Sequence, residues 1–448
     1  MSNATVQRQY DFLILGDGAD GFFDMNPENF QLNNNVLVIG GTGAGKTKSI
    51  VETNLLHSYH KSMVVLLTKK RLMNEYGPLL KKRGYDVKFL DLVHPEKSDY
   101  GYDPVLHVKD DSDLMALGRS IMNCTKTVSA REPYWENSAC SLFSAIVEIA
   151  KIKYERKPRM REALHLLYHI DEPEISMSCG FNRSEDEEWY EEYDEKITLA
   201  DEFDLLKYTE PRMYADWRQY NNNADVTKNC IRSVLFTAIN TLMTKGICHL
   251  MNKERQLDFP SLAKRKTVLF ILTSPVNPAL HPFANLIFGS LFKELFEYAE
   301  SLPDGMLPVP LMAVCDDFAT GGTIPDFQHH ISIFREKGIS VMMLIQSLSQ
   351  LTSMYGENGA QTICDNTDCM VYLGGNDLYT AEQIARRINK PVHEVLTLPV
   401  GSEYLFVRGQ KPLELQRYQI YEDPIYVRDI EQAYDGLEIQ KHTAKQNK

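Results

Sequence analysis

Long apolar runs are missing from this sequence. Its uncharged apolar stretches, such as Met63 to Leu67 and Ile339 to Ile345, fall well short of the roughly 18 residues that a membrane-spanning helix needs. The opening residues also lack the basic start and apolar centre of a secretory signal peptide. We therefore expect the chain as given to be soluble.

Cysteine is sparse and unpatterned. The eight cysteines are scattered over 448 residues, without a C-x-x-C pair or a regular spacing. This distribution argues against a disulfide framework and against a cysteine-based zinc site. Several of the cysteines lie inside apolar runs, which is typical of a reduced, cytosolic protein.

Acidic residues outnumber basic ones, 61 to 48, which gives a formal net charge of -13. Non-specific DNA affinity comes mainly from lysine and arginine on phosphates, so the whole surface is not built to bind nucleic acid. A local basic channel, such as the pore of a ring, stays compatible with this charge. The length and the 43% hydrophobic content predict two folded domains.

Short apolar runs recur in two parts of the chain. They cover residues 35–39, 63–67, 87–91, 268–272, 311–315, 339–345, 370–373 and 404–407. The first three are separated by about a dozen or more residues, the length of a crossover between parallel strands. Because continuous apolar runs suit strands buried on both faces, we predict an α/β fold with a mainly parallel sheet.

The middle of the chain has a different pattern. Residues 110–262 carry helix-spaced apolar positions, as in Ala139 to Ile149, with hardly any strand signal. We predict an inserted all-α domain there, between an α/β domain of residues 1–109 and 263–430, with a polar tail at 431–448. The eight acidic residues between Glu185 and Glu195 predict a solvated, loop-like segment, either plain acidic surface or a partner-docking patch.

A glycine-rich motif follows the first apolar run and opens a helical segment. It reads Gly40-Gly41-Thr42-Gly43-Ala44-Gly45-Lys46-Thr47 and fits G-x-x-x-x-G-K-[ST], the P-loop. In a P-loop the backbone N–H groups surround the β-phosphate, the lysine reaches the β- and γ-oxygens, and the Thr hydroxyl ligates Mg²⁺. The α/β domain is therefore predicted to bind a nucleoside triphosphate, with Lys46 and Thr47 in these roles.

An acid pair ends the run at 311–315. Asp316 would sit at the carboxyl end of the strand and hold Mg²⁺, and Asp317 would orient the attacking water as a general base. The alternative is a surface turn that happens to contain two acids. Four apolar residues leading into the pair favour the functional interpretation.

Three other positions have weaker support. Gln346 ends the next strand and could contact the γ-phosphate, or it could be structural. Arg335 lies near a helix end and could act as an arginine finger in a neighbouring subunit, or simply complement the helix dipole. His165 and His169 have the spacing of a metal pair but lack the acid of H-E-x-x-H, so we interpret them as packed or surface residues.

Several linked motifs resemble one family. After the P-loop come Asp316-Asp317-Phe318-Ala319, Ile324-Pro325-Asp326-Phe327, Phe334 to Ser340, Gln346 to Leu351, Tyr355-Gly356 and Tyr372-Leu373-Gly374-Gly375-Asn376-Asp377. Together they look like the type IV secretion coupling proteins, the TraG-like DNA-pumping ATPases of conjugation. The resemblance covers most of residues 12–410.

The resemblance implies a RecA-like domain interrupted by a helical domain and an ATPase that uses ATP and Mg²⁺. It implies a hexameric ring on the cytoplasmic face of the cell membrane, at the base of a type IV secretion channel. The implied partners are single-stranded DNA, its relaxase and the channel components. Members normally begin with membrane-spanning helices, so we expect this chain to be the soluble domain of a longer protein, with a naturally shortened homologue as the alternative. A monomer in isolation is compatible with either, and the hexamer is expected when the protein is assembled at the membrane.

One departure from the family leaves alternatives open. The family usually has Glu where Asp317 stands, and a carboxylate one methylene shorter could hold water too far from the γ-phosphate, which predicts slow hydrolysis. A nucleotide-binding docking adaptor that hydrolyses little is therefore one alternative. Another hexameric DNA translocase of the same superfamily is the other.

Overall fold

The computed structural model describes residues 9–26, 32–123, 133–154, 157–172, 174–184, 187–274, 276–318 and 323–431. The chain divides into two compact units, one formed by Met1–Gly101 with Glu254–Lys448 and the other by Tyr102–Lys253. The second unit begins and ends earlier than the predicted limits of 110 and 262. Nearly all of the predicted polar tail lies outside the described residues.

Three hydrogen bonds lie on either side of the point where the units divide. The Asp103 carboxylate accepts a hydrogen bond from the Met160 N–H at 2.9 Å, which ties the chain after residue 101 to the helical unit. Gly101 itself donates to the Arg255 carbonyl at 2.7 Å and accepts from the Leu257 N–H at 2.9 Å. Residues 255–257 therefore pair with Gly101, the last residue of the first segment of the same unit.

Thirteen strands are described. They are β1 Phe12–Ile14, β2 Phe22–Asp24, β3 Val36–Ile39, β4 Ser62–Leu67, β5 Asp86–Asp91, β6 Glu174–Ser184, β7 Glu187–Ile197, β8 Thr267–Leu272, β9 Leu311–Cys315, β10 Ile339–Ile345, β11 Cys369–Tyr372, β12 Ser402–Val407 and β13 Leu413–Gln416. Each of the eight apolar runs singled out in the sequence forms one of these strands.

Nine strands build one sheet in the order β13-β12-β11-β3-β10-β9-β4-β8-β5. The seven strands from β11 to β5 pair in parallel, whereas β12 pairs antiparallel with both β11 and β13. All residues of β3, β4, β9 and β10 are buried, as expected for parallel strands covered on both faces. The predicted mainly parallel α/β sheet is confirmed.

The helices cover the sheet and build the second unit. The P-loop helix begins as a π-helix, Thr47–Glu52, and continues as α1 Thr53–Leu56. The other α-helices are α2 Arg71–Lys82, α3 Asp111–Asn123, α4 Pro133–Lys153, α5 Met160–Tyr168, α6 Leu199–Leu205, α7 Pro211–Asn221, α8 Asp225–Leu242, α9 Lys245–Met251, α10 Ser261–Lys264, α11 His281–Glu300, α12 Phe327–Lys337, α13 Leu348–Asp365, α14 Leu378–Ile388, α15 Val392–Leu396 and α16 Pro424–Tyr426. Short 3-10 turns lie at Ala19–Gly21, Pro95–Lys97, Pro104–His107, Pro278–Leu280 and Ile420–Glu422, and a second π-helix at Val427–Glu431.

The second unit is mainly helical, from α3 to α9, but it also contains an antiparallel hairpin of β6 and β7. The acidic segment forms most of β7, so the prediction of a loop-like segment is wrong. A high charge density predicts that a segment stays out of a core, but it does not determine the backbone conformation. The aromatic residues Trp189, Tyr190 and Tyr193 within the segment favour a strand.

A buried asparagine joins the P-loop helix to β1. Asn54, which is 1% exposed, donates to the Ile14 and Ile50 carbonyls at 2.8 Å and accepts from the Ile14 N–H at 3.1 Å. Replacing Asn54 by alanine would leave both backbone groups of Ile14 without their partner. We expect Asn54→Ala to lower the free energy of unfolding by about 2–3 kcal/mol, measured by urea denaturation.

The matched control for this prediction is Asn358→Ala. Asn358 is exposed and lies in helix α13. Its replacement should change the free energy of unfolding by less than about 0.5 kcal/mol. An Asn54→Ala protein as stable as the Asn358→Ala protein would contradict the structural role of Asn54.

Candidate functional site

The predicted site residues lie at the carboxyl ends of neighbouring parallel strands. The P-loop follows β3, which lies between β10 and β11, and β9 pairs with the other side of β10. Asp316 follows β9 and Gln346 follows β10. In open parallel sheets, ligands bind in the crevice at this edge, where the strand order changes direction.

The P-loop is held by backbone bonds from both neighbouring strands. The Gly40 N–H donates to the Ile345 carbonyl at 3.1 Å, and the Gly41 N–H donates to the Gly374 carbonyl at 2.9 Å. A Cβ on Gly40 would lie 3.0 Å from the Leu373 Cβ and 3.1 Å from the Ala44 Cβ, so a larger residue would push the loop away from β11. Gly45 has a φ of 84°, a left-handed conformation that glycine adopts without strain.

Lys46 is nearly buried at the start of the P-loop helix. Its Nζ donates to the Gly40 carbonyl at 2.5 Å and to the Gly41 carbonyl at 3.2 Å. Burial lowers the pKa of Lys46, and the nearby Asp317 and Asp316 carboxylates oppose this shift. The ammonium group therefore lies inside the loop, where phosphate oxygens would be stronger acceptors than the neutral carbonyls.

Thr47 and Asp316 meet directly. The Thr47 Oγ1 donates to the Asp316 Oδ2 at 3.2 Å, although the two residues are 269 positions apart in the chain. Asp316 is 7% exposed, and burial together with the neighbouring Asp317 raises its pKa to about 6. A buried carboxylate beside a hydroxyl is an oxygen donor set that fits Mg²⁺, so the residues present suit the predicted ion.

Asp317 has a left-handed backbone conformation, with a φ of 54°. Aspartate and asparagine tolerate this region better than most residues, because their short polar side chains can bond locally. The structure therefore gives a physical reason for aspartate at this turn that the sequence alone does not supply.

Gln346 and Arg335 occupy different surroundings. Gln346 is exposed and lines the cavity beside the P-loop. Arg335 is exposed in the last turn of helix α12 and, within the described residues, makes no bond to the P-loop of its own chain. The roles of both residues stay predictions.

A cavity of about 640 Å³ extends from the P-loop along the carboxyl edge of the sheet. Its lining combines Gly41 to Ala44 with Gln346, Ser347, Leu373 to Asp377, Leu396, Leu398, Val400 and Arg417. Asp377 caps helix α14 by accepting from the Thr380 N–H at 2.9 Å, and it accepts from the Ser349 hydroxyl at 2.9 Å. Leu373 to Asp377 of the Tyr372 to Asp377 motif form one wall of the cavity, a role that the motif itself did not indicate, and Arg417 lies outside all of the motifs in the sequence.

Away from the P-loop, the structure does not support a metal site at the histidine pair or at another cluster of described residues. Within the described residues, no group of three or more His, Cys, Asp or Glu side chains is placed to hold a metal ion. His169 pairs with Glu172 at 2.8 Å, and its ring lies 4.7 Å from that of His165, centre to centre. In the same residues no single helix is long and apolar enough to cross a membrane; by length and composition alone, the bent pair Asp225–Leu242 and Lys245–Met251 passes that test.

The sheet order, the P-loop at its switch point and the acid on the next strand but one define a RecA-like P-loop protein. A profile of the family described as "Type IV secretory system Conjugative DNA transfer" matches residues 5–391. The chain therefore belongs to this family, and the resemblance drawn from its motifs is confirmed.

Two curated relatives agree with this assignment. Protein VirD4 of Rhizobium radiobacter is 24% identical over 207 residues, which is 39% of this chain and 30% of that protein. Protein VirD4 of Rhizobium rhizogenes is 23% identical over 193 residues, 36% of this chain and 28% of that protein. The aligned part of this chain thus spans less than a third of the length of either relative.

Solved structures share the fold at low identity. The plasmid coupling protein TrwB in complex with ADP and Mg²⁺ has a TM-score of 0.63 and 17% identity, covering 92% of this chain and 95% of that one. An unbound form of TrwB has a TM-score of 0.64 and 16% identity, covering 90% and 88%. VirB4 of Thermoanaerobacter pseudethanolicus has a TM-score of 0.54 and 11% identity, covering 93% and 98%.

Proposed function

We propose that this chain is an ATP-dependent coupling protein that brings relaxase-bound single-stranded DNA, or a protein cargo, to a type IV secretion channel and drives its transfer. One observation carries the enzymatic part: the 3.2 Å contact between Thr47 Oγ1 and Asp316 Oδ2. This contact joins the P-loop to the second acid that a hydrolysing P-loop protein needs. Family membership supports the transfer role.

The cofactors follow from the same residues. Lys46 binds the β- and γ-phosphates of ATP, and Thr47 and Asp316 hold Mg²⁺, which neutralises phosphate charge when bound. TrwB complexes with ADP and Mg²⁺ and with a non-hydrolysable ATP analogue support this assignment by fold. The cavity of about 640 Å³ next to the loop has room for the rest of the nucleotide.

The hydrolytic roles are divided among three residues. Asp317 orients the attacking water and accepts its proton. Two observations support this role: Asp317 directly follows Asp316 at the strand end, and its negative charge acts on the Lys46 ammonium group, whose pKa it raises against the effect of burial. Gln346 contacts the γ-phosphate from the edge of the cavity. Arg335 acts on the site of a neighbouring subunit, since it is exposed and makes no bond to its own P-loop among the described residues.

The assembly we propose is a homo-hexameric ring on the cytoplasmic face of the cell membrane, in contact with the relaxase and the channel components. The helical insertion, residues 102–253, selects cargo in this arrangement. The isolated chain is expected to be monomeric at low concentration, because a subunit interface would have to form from solution.

A docking adaptor with little hydrolysis is the second candidate function. The observation that favours it is Asp317, whose carboxylate is one methylene shorter than the Glu that is usual in the family. The other alternative, a hexameric DNA translocase outside conjugation, has less support because the family profile covers residues 5–391.

The experiment that separates these functions is steady-state ATP hydrolysis with and without single-stranded DNA. We expect turnover that rises several-fold with DNA as subunits assemble on the strand, at raised protein concentration. The Lys46→Ala protein serves as the control for contaminating activity. Nucleotide binding without turnover under any of these conditions would favour the adaptor.

A further inference from the structure

An arginine from outside the P-loop binds the loop through backbone carbonyls. Arg417 follows β13, and its guanidinium donates to three backbone carbonyls: Nη1 to Ala44 at 2.5 Å, Nη2 to Leu373 at 2.6 Å and Nε to Ser402 at 3.2 Å. These carbonyls belong to the P-loop, to the residue that follows β11 and to the start of β12. One side chain therefore ties the loop to its neighbour β11 and to β12, the strand beyond it.

The bond to Ala44 fixes the orientation of one peptide group of the P-loop. The Ala44 carbonyl and the Gly45 N–H belong to one trans peptide, so they point in opposite directions. When Arg417 holds the carbonyl outward, the Gly45 N–H points away from the guanidinium. Since Gly45 has a φ of 84° and no Cβ, this peptide would otherwise turn easily.

A buried acidic residue, Glu403, interacts electrostatically with Arg417. Glu403, on β12, is fully buried, and among the described residues neither of its carboxylate oxygens has a hydrogen-bond partner. Burial raises the pKa of Glu403 to about 8, and Arg417 opposes that shift. The guanidinium nevertheless donates to the three carbonyls and, within the part of the chain that the structure describes, makes no hydrogen bond to Glu403.

The arginine side chain is suited to binding three carbonyls at once. A guanidinium presents several N–H donors in a rigid fork, which an ammonium group cannot reproduce. A glutamine side chain offers only two N–H donors on one nitrogen and carries no charge, so it cannot reach all three carbonyls together. Arg417 is half-buried and lines the cavity next to Gly41 and Ala44.

The geometry points to Arg417 as a positioning residue for phosphate binding, one that pre-orients the Ala44–Gly45 peptide of the P-loop. This inference rests on the proposed binding of ATP at the P-loop. It concerns the β-phosphate, which ADP and ATP share, so Arg417 affects both nucleotides alike. A residue that sensed the γ-phosphate would affect ATP alone.

The test compares four proteins by titration with fluorescent analogues of ADP and ATP: the unsubstituted chain, Arg417→Gln, Arg417→Lys and Arg386→Gln. For Arg417→Gln we expect the Kd to rise about tenfold or more for both nucleotides, and for Arg417→Lys by a smaller factor. Arg386, an exposed arginine of helix α14 that does not line the cavity, is the matched control and should change the Kd by less than about twofold.

The outcomes separate the inference from the proposed function. If the unsubstituted chain binds neither nucleotide, the proposed function fails. If it binds both and Arg417→Gln binds them equally well, the inference about Arg417 is overturned and the proposed function stands. A purely structural role would lower the fraction of binding-competent protein without changing its Kd, which the titration stoichiometry reveals. If Arg417→Gln does not fold, Arg417→Lys decides, and an unchanged Kd for that protein overturns the inference.

Discussion

Replacement of Lys46 by alanine is expected to lower ATP turnover by on the order of 10²–10³-fold. The Lys46 Nζ lies within 2.5 Å and 3.2 Å of the Gly40 and Gly41 carbonyls, inside the loop that is predicted to hold the β- and γ-phosphates. An alanine there removes the positive charge that meets the charge developing on the γ-phosphate during its transfer. Steady-state phosphate release, measured at saturating DNA, is the appropriate assay.

Lys48 provides the control, since it lies two residues further along the same helix. Its Nζ sits 4.0 Å from the centre of the Tyr421 ring, so its charge is directed to an aromatic face. Lys48→Ala should keep turnover within about twofold of the unsubstituted protein. Full hydrolysis by the Lys46→Ala protein would place the activity outside this P-loop.

Replacement of Asp317 by asparagine is the second large effect. We expect turnover to fall by about 10²-fold, the usual contribution of a positioned general base, while ATP still binds. Asparagine keeps the shape and tolerates the left-handed backbone at this position, where φ is 54°. The loss would therefore report the missing carboxylate rather than a distorted turn, and parallel binding and turnover measurements would separate the two.

Asp317→Glu tests whether the short carboxylate limits hydrolysis. If reach is limiting, turnover should rise several-fold, because the added methylene brings the carboxylate closer to the water. The left-handed backbone opposes this substitution by about 1 kcal/mol. Asp326→Glu is the matched control for that strain, since Asp326 is exposed, has a φ of 51° and lies outside the site.

The two outcomes have different meanings. A rise in turnover for Asp317→Glu and none for Asp326→Glu would support a coupling protein with a slow catalytic acid. Turnover that stays near zero in every variant, with nucleotide binding intact, would support the docking adaptor.

Much of the unit that contains the large sheet could be predicted from the sequence because its strands are buried on both faces. The run 339–345 became β10, with all seven residues buried, and the run 311–315 became β9 with Asp316 at its end. Continuous apolar composition distinguishes such strands from solvated loops. The edge strand β13 gave no such signal, because its residues Leu413 to Gln416 alternate between half-buried and exposed.

The rest of the site depends on residues that are far apart in the chain. Arg417 carries no local pattern, and its bond to Ala44 joins positions 373 residues apart. The acidic hairpin shows the same limit, since charge predicted solvation for residues 185–195 but not the strand that most of them form.

The sequence by itself determined the phosphate-binding loop, the acid pair and the mainly parallel sheet, because each depends on local residue types: small residues for a tight loop, apolar runs for buried strands. Only the tertiary structure decided that Thr47 contacts Asp316, that Asp317 has a left-handed backbone and that Arg417 binds the Ala44 carbonyl of the P-loop. The two contacts depend on which strands are neighbours in the sheet, and strand order is set by packing between segments that no local pattern relates.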